Sequence, residues 1–247
     1  MCGIVGMIGQ TPEGTWGETH RLLTALLIAA ESRGMDATGF LAATEPFKKH
    51  YRKKLVVEKQ PLRASRFVNE NSAWRSLTHQ RSLVVIGHTR LATHGSSDNP
   101  HNLHPFSSHD GQLHLVHNGI VGNQDELALR HQLRLFGECD SECLLGIVTR
   151  HYDTAAGLRT CLREVQGSMA VAVYDHRKES VWLARNAGNP LWILRLSNER
   201  RWFFASTPGI LLNAVNDLGM QNRISMLFPL ASETVHLLTP EGHLLVQ

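Results

Sequence analysis

The chain has 247 residues, which is enough to bury a substantial core and suits one large domain. Hydrophobic residues make up 42% and charged residues 19%, a composition that is typical of globular proteins and excludes a disordered or fibrous chain. The formal charge of +3 is small and the basic residues are scattered, so we expect no nucleic-acid partner.

The cysteines and the apolar runs indicate the cellular setting. The four cysteines form neither a Cys-x-x-Cys pair nor a zinc-type spacing, so we expect no disulfide framework, no metal and no cofactor. No apolar run approaches the roughly 18 residues of a membrane span, and the N-terminus has no basic stretch followed by the apolar segment of a signal peptide. We therefore expect a cytoplasmic protein without a membrane partner. The densest basic run, residues 48 to 54, is expected to form a solvated loop.

The first elements follow from apolar periodicity. Cys2 to Gly9 is a short, glycine-rich apolar run and predicts a buried first strand. Thr19 to Glu31 places its leucines on one face at helical spacing, and this predicted helix stops before Arg33-Gly34.

The remaining pattern predicts the fold class. Further strands are predicted at Gly39 to Ala43, Leu55 to Val57, Leu83 to His88, Leu113 to His117, Met169 to Tyr174, Val181 to Arg185, Leu191 to Leu196, Trp202 to Ala205 and Thr234 to Leu238. Further helices are predicted at Asn123 to Leu135, Ser141 to Arg150, Ala155 to Glu164 and Pro208 to Val215. The number of predicted strands is larger than is usual for a single sheet, which indicates an α+β fold with two packed antiparallel sheets. No linker is visible, so residues 1 to 247 are expected to form a single domain.

Cys2 directly follows the initiator methionine. Removal of Met1 would leave a thiol and a free α-amine on the same residue. The amine has a reference pKa of about 7.7 to 8.0, close to the pH at which a general base works well. It can take the thiol proton and so activate the sulfur as a nucleophile. A buried, inert cysteine is the alternative interpretation of an isolated Met-Cys start.

Polar groups follow three other segments. Arg90 comes at the end of an apolar strand and offers a planar fork for a carboxylate, although a surface salt bridge would also explain it. Asn118 and Gly119 offer an amide and a backbone N–H that suit an oxyanion hole, or a type I′ hairpin turn. Asp140 precedes a predicted helix, as an N-cap or as a partner for a substrate ammonium group.

These segments occur in the order and approximate spacing of one family. The matching residues are Cys2-Gly3-Ile4-Val5-Gly6, Arg33 to Gly39, Gly87 to Arg90, Ala92 to Gly95, Asn102, His104-Pro105, His117 to Gly119, Asp140 to Glu142 and Gly167-Ser168. On this basis residues 2 to about 240 resemble a class II glutamine amidotransferase domain, in particular the glutaminase domain of glucosamine-6-phosphate synthase. The resemblance implies a four-layer αββα sandwich of two antiparallel sheets, the N-terminal-nucleophile hydrolase fold.

The resemblance also implies catalytic roles. Cys2 would be the nucleophile and its α-amine the base. The side chain of Asn118 and the N–H of Gly119 would form the oxyanion hole. Arg33 and Asp36 would support the loop of the nucleophile without reacting.

The same resemblance implies a glutamine pocket. Arg90 would bind the α-carboxylate of glutamine and Asp140 its α-ammonium group. Thr93 and His94 would line the same pocket, and a weaker correspondence places Ser206 and Thr207 near its wall.

The implied reaction is hydrolysis of glutamine to glutamate and ammonia through a γ-glutamyl thioester on Cys2. Leu91 stands where the synthase family has a tryptophan, which puts an aromatic gate for ammonia in doubt. The chain also ends at Gln247, without room for a fused synthase domain, so we expect ammonia to pass to a separate synthase protein.

Two other functions remain open at this point. One is an N-terminal-nucleophile amidase that acts on another γ-glutamyl or small amide. The other is an inactive regulatory module that binds glutamine. Arg90 and Asp140 together favour a substrate with an amino-acid head group, because their charges match an α-carboxylate and an α-ammonium.

Overall fold

The computed structural model describes residues 1 to 44, 54 to 92, 95 to 151 and 153 to 247. Within these residues the strands are β1 Gly3–Ile8, β2 Ala37–Thr44, β3 Leu55–Gln60, β4 Ser82–Arg90, β5 Phe106–Ser107, β6 Leu113–Val121, β7 Gly167–Asp175, β8 Ser180–Arg185, β9 Trp192–Leu196, β10 Trp202–Ala205, β11 Ile224–Pro229, β12 Thr234–Leu238 and β13 Leu244–Val246. The α-helices are α1 Trp16–Ala30, α2 Ala64–Glu70, α3 Ser72–Ser76, α4 Gln124–Arg130, α5 Ser141–Arg150, α6 Thr154–Glu164 and α7 Pro208–Asp217.

The strands form two antiparallel sheets. The first has seven strands in the order β11-β9-β10-β1-β4-β2-β3, so β1 is its central strand. The second has six strands in the order β13-β12-β8-β7-β6-β5. Central strands have neighbours on both sides: β1 pairs with β4 from Gly3 to Ile8 and with β10 from Val5 to Ile8.

Side-chain alternation along the strands explains how the layers form. Successive side chains of a strand point to opposite faces, so residues two apart share a face. In β1, Ile4 and Ile8 pack into the apolar layer between the two sheets, whereas Val5 and Met7 pack against the helices outside. Strand β1 is buried on both faces, which is why its sequence is continuously apolar.

Helices cover the outer face of each sheet. Buried side chains of α1, α2, α3 and α7 pack on the first sheet. Those of α5 and α6 pack on the second. The predicted α+β fold and its αββα layering are confirmed. No helix among the described residues is long and apolar enough to cross a membrane.

Several boundaries differ from the sequence prediction. The helix predicted from Asn123 to Leu135 already ends at Arg130, because the chain beyond it forms an irregular segment. The prediction missed α2, α3 and three strands, β5, β11 and β13. These elements are short or lie at sheet edges, where the apolar pattern is weak. Apart from Lys54, the basic run predicted as a loop lies outside the described residues.

Gly6 tests the close packing of the neighbouring strands β1 and β10, where it lies opposite Phe204. A Cβ atom at Gly6 would lie 2.2 Å from Cζ of Phe204, inside van der Waals contact. We therefore expect Gly6→Ala to lower the free energy of unfolding by about 1 to 3 kcal/mol, as overpacking typically does. Urea denaturation followed by circular dichroism measures this change.

Gly17→Ala is the matched control. Gly17 lies in α1, and a Cβ atom at this position would meet no other part of the fold within 4 Å. Alanine there should be neutral or stabilise by up to about 1 kcal/mol. Equal stability of the two variants would contradict the described packing at Gly6.

Candidate active site

Cys2 lies immediately before β1, beside the end of β4. Gly3 of β1 is opposite Thr89 of β4, so the residue before Gly3 comes next to Arg90. A side chain at Gly3 would collide with Thr89, because its Cβ would lie 2.5 Å from the Thr89 hydroxyl oxygen. Glycine at this position lets the start of β1 lie flat against β4.

The alternation of side chains along the strands directs three predicted site residues into the layer between the two sheets. Cys2 shares a face with Ile4, Arg90 with Ile86, and Asn118 with Val116. All three of these apolar partners pack in the layer between the sheets. The described strands therefore bring Cys2, Arg90 and Asn118 to one end of the space between the sheets.

The environment of the Cys2 thiol is partly desolvated. Burial raises the pKa of Cys2, and the hydrogen bond of its sulfur to the carbonyl oxygen of Leu91, 3.7 Å away, opposes this rise. Arg90 also lowers the pKa of Cys2, whereas Asp140 raises it. The thiol therefore lies within the electrostatic reach of both charged residues, and without a base it stays protonated at neutral pH.

Arg33 and Asp36 contact the backbone around Cys2. Nε of Arg33 donates to the carbonyl oxygen of Cys2 at 2.8 Å. The carboxylate of Asp36 accepts from the backbone N–H of Ala92 at 2.7 Å, and its own N–H donates to the carbonyl of Arg90 at 2.9 Å. These contacts fix backbone rather than reacting atoms, which suits the supporting roles predicted for both residues.

Arg90 is buried and engaged by the loop that follows β4. Only 3% of its surface is exposed. Its guanidinium donates to the hydroxyl of Ser97 and to the carbonyl of Gly95, both at 2.9 Å. Its burial contradicts the surface position on which the salt-bridge alternative depended. Sequence reasoning missed Ser97, because a serine in a polar loop carries no distinguishing signal.

Asn118 and Gly119 lie inside strand β6 rather than in a hairpin turn. They pair with Ala170 and Met169 of β7, and β6 continues to Val121. Gly119 has a φ of 155°, and a Cβ there would lie 1.9 Å from the carbonyl oxygen of Ser168. The hairpin-turn alternative is wrong, and glycine is required by the backbone at this point.

The Asn118 side chain is buried, and neither atom of its amide has a hydrogen-bond partner among the described residues. Its backbone carbonyl, in contrast, accepts from Nδ2 of the buried Asn189 at 3.0 Å. A buried amide without partners is rare and costly. The hydrogen-bonding capacity of this amide is therefore unused within the described residues.

Asp140 stands at the N-cap position of α5 but does not cap that helix with its side chain. Its carboxylate instead accepts from the backbone N–H of Val121 at 2.6 Å. The other carboxylate oxygen accepts from the hydroxyl of Ser141 at 3.3 Å and lies 4.0 Å from Nδ1 of His117. The contact with Val121 holds the Asp140 carboxylate against strand β6, which also carries Asn118.

Three buried histidines lie behind these residues. Nε2 of His88 donates to the carbonyl of His117 at 2.9 Å, and the rings of His88 and His104 contact each other with centroids 3.9 Å apart and planes tilted by 32°. Burial lowers the pKa of His88 to about 3 and that of His104 well below its ordinary value. Burial also lowers the pKa of His117, against the opposing effect of Asp140. All three are neutral in the folded protein at physiological pH.

The remaining sequence predictions concern Thr93, His94, Ser206 and a metal site. Thr93 and His94 lie outside the described residues. Ser206 is fully buried; its hydroxyl accepts from the N–H of Ile4 at 2.8 Å and so anchors β1 to the end of β10. Among the described residues, no group of three or more His, Cys, Asp or Glu side chains forms a metal site.

The two antiparallel sheets with helices on both outer faces are the architecture of the N-terminal-nucleophile hydrolases, and solved structures share it. Glutamine phosphoribosylpyrophosphate amidotransferase from B. subtilis, complexed with ADP and GMP, superposes with a TM-score of 0.75 at 20% identity. The alignment covers 100% of this chain and 49% of that one. At this identity the likeness concerns the fold alone.

A protein-family model described as a glutamine amidotransferase domain matches residues 88 to 213, about half of the chain. The chain belongs to this family, in its class II branch. It is 33% identical over 193 residues to glutamine–fructose-6-phosphate aminotransferase (isomerizing) of Bacillus licheniformis, an alignment that covers 75% of this chain and 29% of that protein. The protein of the same name in Thermus thermophilus is 32% identical over 218 residues, covering 85% and 32%. The chain spans about a third of the length of these relatives.

The buried histidines predict how stability depends on pH. A histidine that is neutral in the folded chain takes up a proton on unfolding below its ordinary pKa of about 6.5, so the unfolded state binds more protons. Stability is therefore retained above about pH 6.5 and falls as the pH decreases toward 5, by up to about 1.4 kcal/mol per pH unit for each such histidine. Urea denaturation at pH 7.5, 6.5 and 5.5 measures the slope.

His104→Phe should reduce this pH dependence of stability by the contribution of one buried histidine. Neither ring nitrogen of His104 has a hydrogen-bond partner among the described residues, so phenylalanine removes the titration without breaking such a bond. Replacement of His79, which is exposed, is the control. An unchanged slope in the folded His104→Phe protein would show that this residue does not contribute.

Proposed function

We propose that the protein hydrolyses the side-chain amide of glutamine to glutamate and ammonia through a γ-glutamyl thioester on Cys2. One observation carries this proposal: the strand register brings Cys2 next to Arg90, and both Arg90 and Asp140 act electrostatically on the Cys2 thiol. The Arg90 guanidinium matches the α-carboxylate of an amino acid, and the Asp140 carboxylate matches its α-ammonium group. Membership of the glutamine amidotransferase family supports glutamine as that amino acid.

The raised pKa of Cys2 explains why a base is needed. Burial keeps the thiol protonated, so the sulfur becomes a nucleophile only when its proton is taken up. After removal of Met1, the α-amine of Cys2 accepts this proton and the sulfur attacks the amide carbon. Ammonia leaves with a proton returned by the amine, and water then cleaves the thioester to release glutamate and restore the thiol.

Asn118 and Gly119 stabilise the negative oxygen that forms during both steps. The Asn118 amide faces the layer that contains Cys2, and Nδ2 has no competing acceptor among the described residues. A donor that is unoccupied in the free protein is ready for an oxyanion without breaking another bond. The N–H of Gly119 would supply the second donor.

We infer that ammonia passes to a separate synthase protein. The relatives named above are aminotransferases by name, which supports use of the ammonia by an acceptor reaction. Leu91 is 40% exposed beside Cys2, and its carbonyl contacts the thiol. An exposed leucine next to the nucleophile suits a surface that an acceptor protein covers.

Activity should require removal of Met1. While Met1 remains, the nitrogen of Cys2 is a planar amide without a basic lone pair, and the only α-amine lies one residue away, about 3.8 Å by Cα spacing. We expect protein that begins at Cys2 by intact mass to release ammonia from glutamine, and protein with an N-terminal tag to do so only after cleavage exposes Cys2. Full activity with Met1 retained would falsify the α-amine as base.

Cys2→Ser is the control for the nucleophile. It changes one atom and should abolish or nearly abolish ammonia release while leaving the melting temperature unchanged. Ammonia release from glutamine, asparagine and γ-glutamyl amides by the unmodified protein decides between glutaminase and a broader amidase. Glutamine binding without turnover would favour the inactive regulatory module.

Loss of either head-group contact should weaken glutamine binding. Asp140→Asn keeps an oxygen that can accept from the N–H of Val121 but removes the charge, and Arg90→Lys removes the planar fork. Truncating one partner of a buried charge pair costs about 2 to 5 kcal/mol, so we expect the KM for glutamine to rise about 30-fold or more. Steady-state kinetics measures this rise.

Asp153→Asn is the matched control, because Asp153 forms an exposed ion pair with Lys178. It should leave KM unchanged. The assignment of a glutamine head group to Arg90 and Asp140 is wrong if both variants keep KM within about threefold of the unmodified value.

Asn118→Asp should act on turnover instead of binding. Aspartate has the size of asparagine but no N–H to donate, so kcat should fall by about 10² to 10³ with little change in KM. The melting temperature establishes that the variant is folded. A folded variant with near-normal kcat would remove Asn118 from the proposed oxyanion hole.

A further inference from the structure

Asn102 lies between the two loops that carry the proposed head-group contacts. It ends a short 3₁₀ turn, Pro100–Asn102, and its side chain is completely buried. Its Nδ2 donates to the carbonyl of Ser96 and to the carboxylate of Glu138, both at 3.2 Å. Its Oδ1 accepts from the backbone N–H of Glu138 at 2.9 Å. One amide thus joins two segments that are about forty residues apart.

The first segment is the loop that engages Arg90. The Arg90 guanidinium donates to the carbonyl of Gly95 and to the hydroxyl of Ser97. Ser96, the residue between them, accepts from Asn102. Displacement of this loop would therefore move the acceptors that hold the guanidinium.

The second segment leads directly into Asp140. Glu138 is two residues before it, and the preceding backbone is fixed by Glu142 of α5, whose carboxylate accepts from the N–H groups of Phe136 and Gly137. Asn102 bonds to both the backbone and the side chain of Glu138. The position of Asp140 thus depends on α5 on one side and on Asn102 on the other.

Glycines enclose the Asn102 amide on both sides. A Cβ at Gly95 would lie 2.3 Å from Nδ2 of Asn102, and a Cβ at Gly137 would lie 2.9 Å from its Oδ1. The backbones of the two loops therefore pack directly on the amide. There is no space for a larger side chain to replace it.

We propose that Asn102 is a positioning residue that sets the distance between Arg90 and Asp140 and so matches the site to the α-carboxylate and α-ammonium of its substrate. The inference rests on the proposed function, since it assumes that these two residues bind one amino-acid head group. Loss of the Asn102 bonds lets the loops separate, and it weakens substrate binding without removing any group that touches the reacting atoms. The chemical step is spared.

The test compares four variants by steady-state kinetics and by calorimetric binding of glutamine in a Cys2→Ser background. Asn102→Ala and Asn102→Asp should raise KM and Kd about tenfold or more, with kcat within about threefold, the pattern expected when binding rather than the transition state is affected. In Asn102→Asp an oxygen replaces Nδ2 and faces two acceptors, Ser96 and Glu138. Asn102→Asp combined with Glu138→Gln supplies an N–H donor to that oxygen and should restore part of the lost affinity. Glu138→Gln alone should have little effect.

Asn71→Ala controls for general destabilisation. Asn71 is a buried asparagine whose side chain accepts from the N–H of Trp74 at the start of α3, on the outer face of the first sheet. Its loss should lower the melting temperature and leave KM unchanged. If Asn102 only stabilises the fold, its variants should likewise lower the melting temperature and leave KM unchanged. Glu138→Gln should then not restore glutamine affinity.

The outcomes separate this inference from the proposed function. If Arg90→Lys and Asp140→Asn raise KM and Kd but the folded Asn102 variants do not, the positioning role is wrong and the head-group assignment stands. If none of these variants changes glutamine binding, the head-group assignment itself fails. If Asn102→Ala does not fold, the absence of rescue in a folded double variant overturns the inference.

Discussion

The alternation of side chains along three strands is the constraint on which the candidate site depends. Strands β1 and β4 are neighbours in one sheet and β6 belongs to the other, so no local sequence signal brings them together. Their register does so, because the face that packs Ile4, Ile86 and Val116 between the sheets also carries the site residues. A shift of one residue in any of these strands would turn its site residue toward the outer helices.

The hydrogen bond between His88 and His117 supports this register across the two sheets. It joins β4 to β6 through a ring nitrogen and a backbone carbonyl, beside the apolar cluster that packs between the sheets. A buried polar pair of this kind has a specific geometry, whereas apolar contacts tolerate sliding. The neutral state of the histidine is part of the arrangement, since a second positive charge behind Arg90 would disturb the field at Cys2.

The sequence predicted the fold class and the central strands well, because these strands are buried and strongly apolar. It predicted the identities of the candidate site residues through ordered motifs rather than through geometry. The Asn-Gly pair illustrates the limit: locally it favours a hairpin turn, and only the pairing of β6 with β7 makes it part of a continuous strand. The partners of Arg90 and the bonds of Asn102 could not be predicted, since they depend on loops whose polar residues have no periodic pattern.

The unpartnered amide of Asn118 is a cost that the rest of the fold must offset. Each buried donor or acceptor without a partner costs about 1 to 3 kcal/mol, and this amide has both. The Nδ2 donor would gain an acceptor when a negative oxygen forms beside it, so part of the deficit of the free protein becomes stabilisation of the transition state. A partner within the fold would remove the cost and also occupy the donor. The buried bond from Asn189 to the Asn118 backbone is consistent with this view, because it holds the strand in place while leaving the side-chain amide unoccupied. Rigid support of the backbone and an unsatisfied side chain are therefore two requirements of the same proposed oxyanion site.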